Sequence, residues 1–419
     1  MECIQRIQDP SLSFPRLEIA QLRSTTVRVP ALVTVEAIVR SGEPNVQLAG
    51  HYEDTATGTR VPIEIKPSLS DPRVFGVSAR IVDPGRFSLR LAVILAACSC
   101  FLSAPQLALS RLEIHAVGEP LLTELLCSPD DVMVGRWLRG PRWAPEACEL
   151  PDTDERGARR CLRDTTVLMV GDSAMEEKAA LLLALSGYWT AERSLGNWQT
   201  ATQCKDCYRG RSMDTGGDLD EGFRVVHVWA GHADECDNWG GIETLESGRL
   251  QQQVAAYTRA RAPGTRIVLV FNSGLHDLYN PQFELHKYES ALVRGLDWLA
   301  ARLDPGQGDL LVLKTTSTHL GDFECSPGNA ARYGELGVRA INELVRREAR
   351  RRGLLLWDEY AMLSALDQGA IGGDGHHCMS RFKPVIPVCP GVRYNSSIEP
   401  HSACREVTAA LVGMICIPE

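Results

Sequence analysis

Apolar and polar residues alternate in short runs along the first 120 residues of the chain. The period is close to two, as a half-buried β-strand requires, and glycine, proline and polar residues separate the runs. The clearest runs cover residues 34–39, 46–52, 61–65 and 87–93. Residues 20–120 are therefore predicted to form a small all-β sandwich.

From about Pro141 onward, continuous apolar runs alternate with stretches of helical periodicity. Buried strands are predicted at 167–170, 266–271, 310–314 and 354–357, and helices at 250–261, 289–303 and 332–351. Such alternation is typical of a parallel sheet covered by helices, so we expect an α/β domain at residues 125–419. The arginine-rich residues 346–352 are interpreted as a solvated helix end.

Composition and charge are those of an ordinary soluble enzyme. The chain has 419 residues, of which 44% are hydrophobic, and this is enough for a large core and favours two domains over one. The formal net charge of -9 gives no electrostatic basis for binding nucleic acid.

Ser173 is the first candidate for chemistry. It follows a β-branched apolar run that ends in Gly171-Asp172-Ser173, and a stretch of helical periodicity comes next. A serine at a strand-to-helix turn can act as a nucleophile, because the N–H groups of the helix N-terminus stabilise a developing negative charge. The alternative is that Asp172 or Ser173 only caps the helix.

Asp374 and His377 form a second candidate group in the glycine-rich segment Gly372-Gly373-Asp374-Gly375-His376-His377-Cys378. If both fold back toward Ser173, His377 can accept the serine proton while Asp374 orients the imidazole. A solvated surface loop, or part of a metal site, explains the same residues.

Asn272 is the third candidate, directly after the predicted strand 266–271. Its amide could donate a hydrogen bond to an oxyanion, since active sites of open α/β sheets gather at the carboxyl ends of strands. The alternative is a simple Asn-Ser-Gly turn. His276 and Asp277 follow as cleft residues without an assigned role.

Together these motifs resemble the SGNH, or GDSL-like, hydrolase superfamily. The likeness is greater to its PC-esterase branch, which includes trichome-birefringence-like and sialate O-acetyltransferases and the neurexophilin and PC-esterase domain proteins. Cysteines and tryptophans between Cys127 and Cys148 resemble the segment that precedes the first motif in that branch. The plant enzymes carry Asp-Cys-x-His-Trp in the last motif, where this chain has Asp374-Gly375-His376-His377-Cys378.

The resemblance covers about residues 125–419 and implies a three-layer SGNH-like sandwich there. The strand pattern of residues 20–120 is that of a sandwich of immunoglobulin or filamin type. The resemblance also implies a covalent acetyl-serine enzyme with Ser173, His377 and Asp374 as the triad and with Asn272 and Gly196 as oxyanion donors. No metal or other cofactor is expected, and acetyl-CoA is one candidate acetyl donor. A sugar hydroxyl as acceptor would make the protein a glycan O-acetyltransferase, and water would make it an esterase. An inactive binding protein of the same fold is a third hypothesis.

The 14 cysteines favour disulfides. Four of them lie in a proline-rich tail that is predicted to lack regular structure, where disulfides would hold the loop of Asp374 and His377: Cys378, Cys389, Cys404 and Cys416. The competing interpretation is a metal site at Cys204, Cys207, His232 and Cys236. Disulfides and the acceptor motif Asn395-Ser396-Ser397 imply an oxidising lumen of the secretory pathway. The family resemblance implies that this lumen is the Golgi.

The N-terminal ten residues contain no apolar segment of a signal peptide. Two explanations remain open, a missing leader or a cytosolic enzyme with reduced thiols. Residues 91–109 are the one candidate for a membrane segment, but their composition favours a buried strand followed by a loop. Membrane association therefore stays open at the level of the sequence.

Overall fold

The computed structural model describes most of the chain with several gaps. The described residues are 16–19, 25–40, 46–68, 70–95, 109–119, 126–139, 142–146, 148–151, 154–187, 212–214, 222–230, 242, 248–279, 283–317, 335–366 and 402–417. The protein is a mixed α/β molecule with an all-β region and a mainly parallel sheet.

The predicted all-β region is confirmed. Its strands are β1 (Arg16–Ile19), β2 (Thr25–Arg28), β3 (Ala31–Arg40), β4 (Val46–Asp54), β5 (Arg60–Pro62), β6 (Glu64–Pro67), β7 (Val74–Ile81), β8 (Gly85–Leu95) and β9 (Leu109–Val117). One sheet has the order β1-β3-β7-β6, and the second contains β5-β4-β8-β9-β2. Side chains from both sheets form one core that includes the buried Leu48, Tyr52, Val77 and Phe87, as the alternating pattern predicts.

The run 61–65 is not one strand, as predicted, but two. β5 ends at Pro62 and pairs with β4, whereas β6 begins at Glu64 and pairs with β7 in the other sheet. The chain crosses between the sheets at Ile63, and Pro62 has no N–H with which to continue a ladder. A corner of this kind keeps the apolar alternation, so the pattern alone could not locate the break.

A hairpin connects the sandwich to the rest of the molecule. Its strands β10 (Gly135–Leu138) and β11 (Arg142–Pro145) extend the larger sheet, because Trp137 of β10 is paired with Arg60 of β5. The Trp137 side chain is nevertheless buried in the α/β core and donates its indole N–H to the carbonyl of Met362 at 2.6 Å. The sequence analysis assigned this hairpin to the α/β domain alone. The hairpin in fact contributes to the sandwich sheet and to the α/β core.

The predicted parallel sheet is also confirmed. Its strands are β12 (Thr165–Gly171), β13 (Ser212–Asp214), β14 (Arg224–Trp229), β15 (Arg266–Phe271), β16 (Leu310–Lys314) and β17 (Leu355–Trp357). Their order is β13-β14-β12-β15-β16-β17, and all pairs are parallel except β13 with β14. The chain therefore moves to one side of β12 first and then crosses to the other, which creates a switch point between β12 and β15.

Helices cover both faces of this sheet. The α-helices among the described residues are α1 (Glu155–Cys161), α2 (Ser173–Leu185), α3 (Gly248–Arg259), α4 (Leu275–Tyr279), α5 (Leu285–Ala300), α6 (Glu335–Arg352), α7 (Glu359–Leu363) and α8 (Ser402–Ile415). Val167 of β12 packs in a core with α2 and α8, and the next residue, Leu168, packs in a core with α3, α5 and α6. Successive side chains of one strand thus bury on opposite faces.

The end of α6 is solvated only in part. Arg347, Arg350 and Arg351 are exposed, as the sequence predicts, but two other arginines are not. Arg346 is largely buried, its Nε lies 2.6 Å from Asp358 Oδ2, and its guanidinium lies over the Tyr360 ring. Arg352 is also mostly buried, and its Nη2 donates to the Val293 carbonyl of α5 at 3.1 Å. These side chains fix α6 to its neighbours, because a planar guanidinium can bond a carboxylate and stack on a ring at once.

The C-terminal residues correct the prediction of a tail without regular structure. Cys404 lies in the buried helix α8, and Cys416, just after it, forms a disulfide with Cys161 at the end of α1. A second disulfide joins Cys127 to Cys148. Both agree with an oxidising compartment. Cys378 and Cys389 lie outside the described residues.

Residues 91–95 of the candidate membrane segment belong to strand β8, and residues 96–108 lie outside the described part of the chain. In the described ranges, no helix combines the length and the apolar character that crossing a bilayer requires.

Candidate active site

The strand-to-helix turn at Ser173 is formed as the sequence predicts. β12 ends at Gly171, Asp172 is the N-cap, and Ser173 is the first residue of α2. Asp172 Oδ1 accepts a hydrogen bond from the Ala174 N–H at 3.0 Å. The capping role proposed for Asp172 is therefore present, and it leaves Ser173 at the positive end of a 13-residue helix.

Gly171 is required at this turn by close packing. A Cβ built at Gly171 would lie 2.9 Å from the Met175 Cβ, closer still to its Cγ, and 3.1 Å from the carbonyl oxygen of Asn272. Real Cβ atoms essentially never approach other atoms as closely as the Met175 contacts would require, and the Asn272 contact is also tight. The glycine therefore allows β12, the first turn of α2 and the end of β15 to meet.

Asn272 lies where β15 ends, on the strand next to β12. Its buried side chain donates from Nδ2 to the Lys314 carbonyl at 3.0 Å and makes a longer contact of 3.4 Å with Thr316 Oγ1. Both amide hydrogens thus have acceptors within the protein, and an oxyanion would have to replace the longer contact, the one with Thr316.

Ser173 and Asn272 consequently follow the two strands that flank the switch point. Ligands of open α/β sheets bind in the crevice at this position, because the loops after adjacent strands separate there. The neighbouring residue Gly274 has a φ of 132°, and a Cβ on it would lie 2.8 Å from Thr316 Oγ1. The turn after β15 therefore has a defined, tightly packed course.

His227 lies beneath the turn and is the site residue that the pattern-based predictions missed. It is fully buried on β14, and its Nε2 is 3.2 Å from the Gly171 carbonyl oxygen. Burial lowers its pKa to about 4 despite this bond, so the ring is neutral near pH 7 and Nε2 carries the hydrogen. The only signal in the sequence is one polar residue inside the apolar run of β14.

His227 Nδ1 has no hydrogen-bond partner among the described residues. The Trp229 ring stands edge-on to His227 and to His276, with ring centroids 6.1 and 5.8 Å apart. Trp229 is buried, so this aromatic residue belongs to the wall of the site and not to an exposed surface.

Asp277 is a second buried carboxyl group near the turn. Its Oδ1 accepts the Ile242 N–H at 2.6 Å, while its Oδ2 and Asp172 Oδ2 have no partner among the described residues. Burial raises the pKa of Asp277 to about 7, and the negative charge of Asp172 adds to the effect. Near pH 7 the Asp277 carboxyl group is therefore partly protonated.

The remaining predicted site residues lie outside the described part of the chain. These are Asp374 and His377 of the proposed triad and the proposed oxyanion donor Gly196. The alternative metal ligands Cys204, Cys207, His232 and Cys236 lie outside it as well. Among the residues that are described, no group of histidine, cysteine, aspartate and glutamate side chains is arranged to hold a metal ion.

No protein-family model and no curated protein matches the chain. Solved structures that resemble it include a GDSL-like lipase from Bacteroides thetaiotaomicron, at 10% identity and a TM-score of 0.30, over 51% of this chain and 80% of that one. An acetyl-xylooligosaccharide esterase variant from Geobacillus has 15% identity and a TM-score of 0.31, over 60% and 93%.

The filamin domain of Lin-41 has 10% identity and a TM-score of 0.17, over 24% of this chain and 91% of that one. The lipase and the esterase align with more than half of this chain, and the filamin domain aligns with about a quarter of it. TM-scores of this size are too low to assign the chain to a family.

Proposed function

We propose that the protein is a serine acyl-transfer enzyme that moves acetyl groups to glycan hydroxyls through an acetyl-Ser173 intermediate. The observation that supports it is the position of Ser173, at the N-terminus of α2, beside Asn272 at the end of the adjacent strand β15. This is the placement that a nucleophile and an oxyanion donor need.

In the proposed reaction, Ser173 Oγ forms a bond to the carbonyl carbon of an acetyl ester or thioester. His377 accepts the serine proton and passes it to the leaving oxygen or sulfur as the bond to the carbonyl carbon breaks, while Asp374 orients His377. The oxyanion is stabilised by the N–H groups of the first turn of α2, by the Asn272 amide and by Gly196. Loss of one such donor typically lowers turnover about 10²–10³-fold.

Deacylation decides between transfer and hydrolysis. A sugar hydroxyl that attacks the acetyl-Ser173 carbonyl yields an acetylated glycan, and water yields acetate. The acetyl donor, with acetyl-CoA as one candidate, is a substrate, and the reaction needs no metal or other cofactor. Transfer is proposed because of the PC-esterase resemblance in the sequence, and an esterase uses the same residues.

The proposal also covers domain organisation and location. Residues 20–120 would form an accessory sandwich of immunoglobulin or filamin type, and residues 125–419 the SGNH-like catalytic part. The disulfides Cys127–Cys148 and Cys161–Cys416 support a protein that folds in an oxidising lumen, for which we propose the Golgi.

The test is covalent labelling with a fluorophosphonate, followed by intact mass and peptide mapping. The wild type is compared with Ser173→Ala and with a control, Ser290→Ala, whose exposed hydroxyl only bonds the His286 carbonyl within α5. We expect one label on the wild type and on S290A, none on S173A, and release of 4-nitrophenol from 4-nitrophenyl acetate in parallel.

An oligosaccharide in the second assay separates the two acceptors. Acetylated oligosaccharide supports the transferase, while acetate alone supports the esterase. If the folded wild type takes no label at Ser173, the assignment of Ser173 as the nucleophile is wrong. The remaining hypothesis is then an inactive binding protein.

A further inference from the structure

Three charged side chains meet in the interior between α2 and the sheet. Lys178 Nζ on α2 lies 2.7 Å from Glu359 Oε1, and Lys314 Nζ at the end of β16 lies 2.8 Å from Glu359 Oε2. Their side chains are 0–1% exposed. We call these three residues, Lys178, Glu359 and Lys314, the lysine–glutamate bridge.

The bridge is bonded on several sides. Ser317 Oγ donates to Glu359 Oε1 at 3.0 Å, and Lys314 Nζ donates to the Thr315 carbonyl at 3.0 Å. Both ammonium groups also lie over the Trp357 ring, 5.9 and 5.6 Å from its centroid. Each charge therefore has partners of fixed geometry, which a buried ion needs.

The pKa values reflect the mutual dependence of the charges. Burial alone would raise the pKa of Glu359, yet the two ammonium groups lower it to about 2. Burial lowers the pKa of Lys178, against the attraction of Glu359. Such a buried cluster contributes little net stability compared with apolar side chains of the same shape, so its benefit lies elsewhere.

The lysine–glutamate bridge lies between the helix that carries Ser173 and the strand end that Asn272 contacts. Lys178 lies on the helix that begins at Ser173, five residues further on. Lys314 is joined to the other side of the site, because its carbonyl accepts the hydrogen bond from Asn272 Nδ2 at 3.0 Å. A continuous path of polar contacts therefore runs from α2 through Glu359 and Lys314 to Asn272.

We propose that the lysine–glutamate bridge is a positioning device that holds α2, and with it Ser173, in register with Asn272. Its residues do not contact the reacting atoms. The inference rests on the proposed function, because it assigns a consequence for acylation of Ser173. A shift of about 1 Å between a nucleophile and the groups that act with it can lower a rate about 100-fold.

The variant that tests this is Lys178→Met. Methionine keeps most of the apolar stem against Trp357, and Glu359 keeps Lys314 and Ser317 as partners. We expect K178M to fold, with a melting temperature within about 3 °C of the wild type. Its rate constant for fluorophosphonate labelling at saturation, kinact, should fall at least about tenfold, with the half-saturating concentration unchanged.

Arg346→Met is the matched control. Arg346 also forms a largely buried ion pair next to the start of α7, but with Asp358 and from α6. Asp358 keeps Thr315 Oγ1 and the Ala361 N–H as donors. We expect R346M to lower the melting temperature without changing kinact at temperatures where the protein is folded.

Wild-type kinact in folded K178M would overturn the proposal, as would an equal fall in kinact in folded R346M. If K178M does not fold, Ser317→Ala replaces it, since this change removes only a hydroxyl from the bridge. We then expect a fall in kinact of about two- to fivefold, and no fall would overturn the proposal.

An unlabelled wild type would contradict the proposed function but not the bridge itself. In that case hydrogen exchange of the Ala174, Met175 and Glu176 amides, which bond Asp172 in the first turn of α2, reports its position. We expect exchange in K178M to be at least about tenfold faster than in the wild type or R346M. Equal exchange in all three would overturn the proposal.

Discussion

The backbone N–H of Asn272 donates a 3.0 Å hydrogen bond to the carbonyl of Val170. This bond extends the pairing of β12 with β15 by one residue beyond the last strand pair, Val170 with Phe271. The parallel ladder thus delivers Ser173 and Asn272 to the same edge of the sheet, three residues and one residue after that pair. The pairing of β12 with β15 therefore fixes the backbone positions of these two residues, and no flexible loop sets them.

Gly171→Ala tests the packing of that turn. The new methyl group would overlap Met175 and press on the Asn272 carbonyl, so we expect a loss of about 1–3 kcal/mol in the free energy of unfolding. Urea denaturation measures it. Gly76→Ala is the control, because the nearest atom to a Cβ there is the Lys66 carbonyl oxygen at 3.8 Å. Equal stability of G171A and the wild type would contradict the close approach.

Asn272→Ala tests the oxyanion assignment. We expect turnover of 4-nitrophenyl acetate to fall about 10²–10³-fold with little change in KM, because the lost donor acts in the transition state. The comparison is Asn342→Ala, which removes an amide that bonds both the N–H and the carbonyl of Thr316. N342A should lose more stability and less activity. A larger loss of turnover in folded N342A than in N272A would refute the assignment.

Asp277→Asn should change the dependence of stability on pH. The pKa of Asp277 is raised from 3.8 to about 7 in the folded protein. Its contribution is therefore fully present below pH 3.8 and is lost as pH rises through 7. At about 1.4 kcal/mol per tenfold change in proton affinity, the loss is roughly 4 kcal/mol. An asparagine can still accept the Ile242 N–H, so D277N should be more stable than the wild type at pH 8.

The measurement is the urea midpoint of D277N and the wild type between pH 4 and pH 8. The two proteins should be similar near pH 4 and diverge as the pH rises. Parallel curves across the whole range would show that Asp277 titrates as an ordinary carboxyl group.

His227→Gln should act on the acid side. The pKa of His227 is lowered from 6.5 to about 4, so the unfolded chain binds a proton that the folded protein does not. The stability due to this residue is present above pH 6.5 and is lost as pH falls toward 4. Glutamine can place its amide nitrogen near Nε2 and still donate to the Gly171 carbonyl. Thermal unfolding at pH 4.5 and 7 should show a smaller acid-side loss in H227Q, and an unchanged loss would argue against a buried neutral imidazole.

The two disulfides that join described residues should differ in how much they stabilise the folded protein. Cys161–Cys416 closes a separation of 255 residues and Cys127–Cys148 one of 21. Restriction of the unfolded chain predicts about 5 kcal/mol for the longer loop and about 3 kcal/mol for the shorter. Double serine variants, compared by denaturation without reductant, test the order. A greater loss from C127S/C148S would show that native packing, not loop closure, dominates.

Helices and strands with a clear hydrophobic pattern were predictable from the sequence. The runs that became β15 and β16 are continuous and apolar because both faces of a central parallel strand are buried. Helix α8 was missed, although Ala403, Val407 and Leu411 are buried in it. The prolines before it favour irregular structure and obscure a helix whose apolar residues surround it on several sides.

The site was predictable only where one segment carries the signal. Ser173 lies at a local strand-to-helix junction, which periodicity shows. His227 is one polar residue in an apolar run, and Lys178 meets Glu359 only because two distant elements pack together. Long-range contacts of this kind leave no local pattern, so sequence reasoning could not find them.

Trp137 belongs both to the sandwich and to the α/β part of the molecule. Its strand completes the sandwich sheet through Arg60, while its ring lies in the α/β core against the chain near Met362. A chain that began at residue 125 would expose the edge of β10, and a chain that stopped at 120 would expose β5. The two parts should therefore unfold in one cooperative transition. A substitution that destabilises the sandwich should then also destabilise the α/β core that supports Ser173.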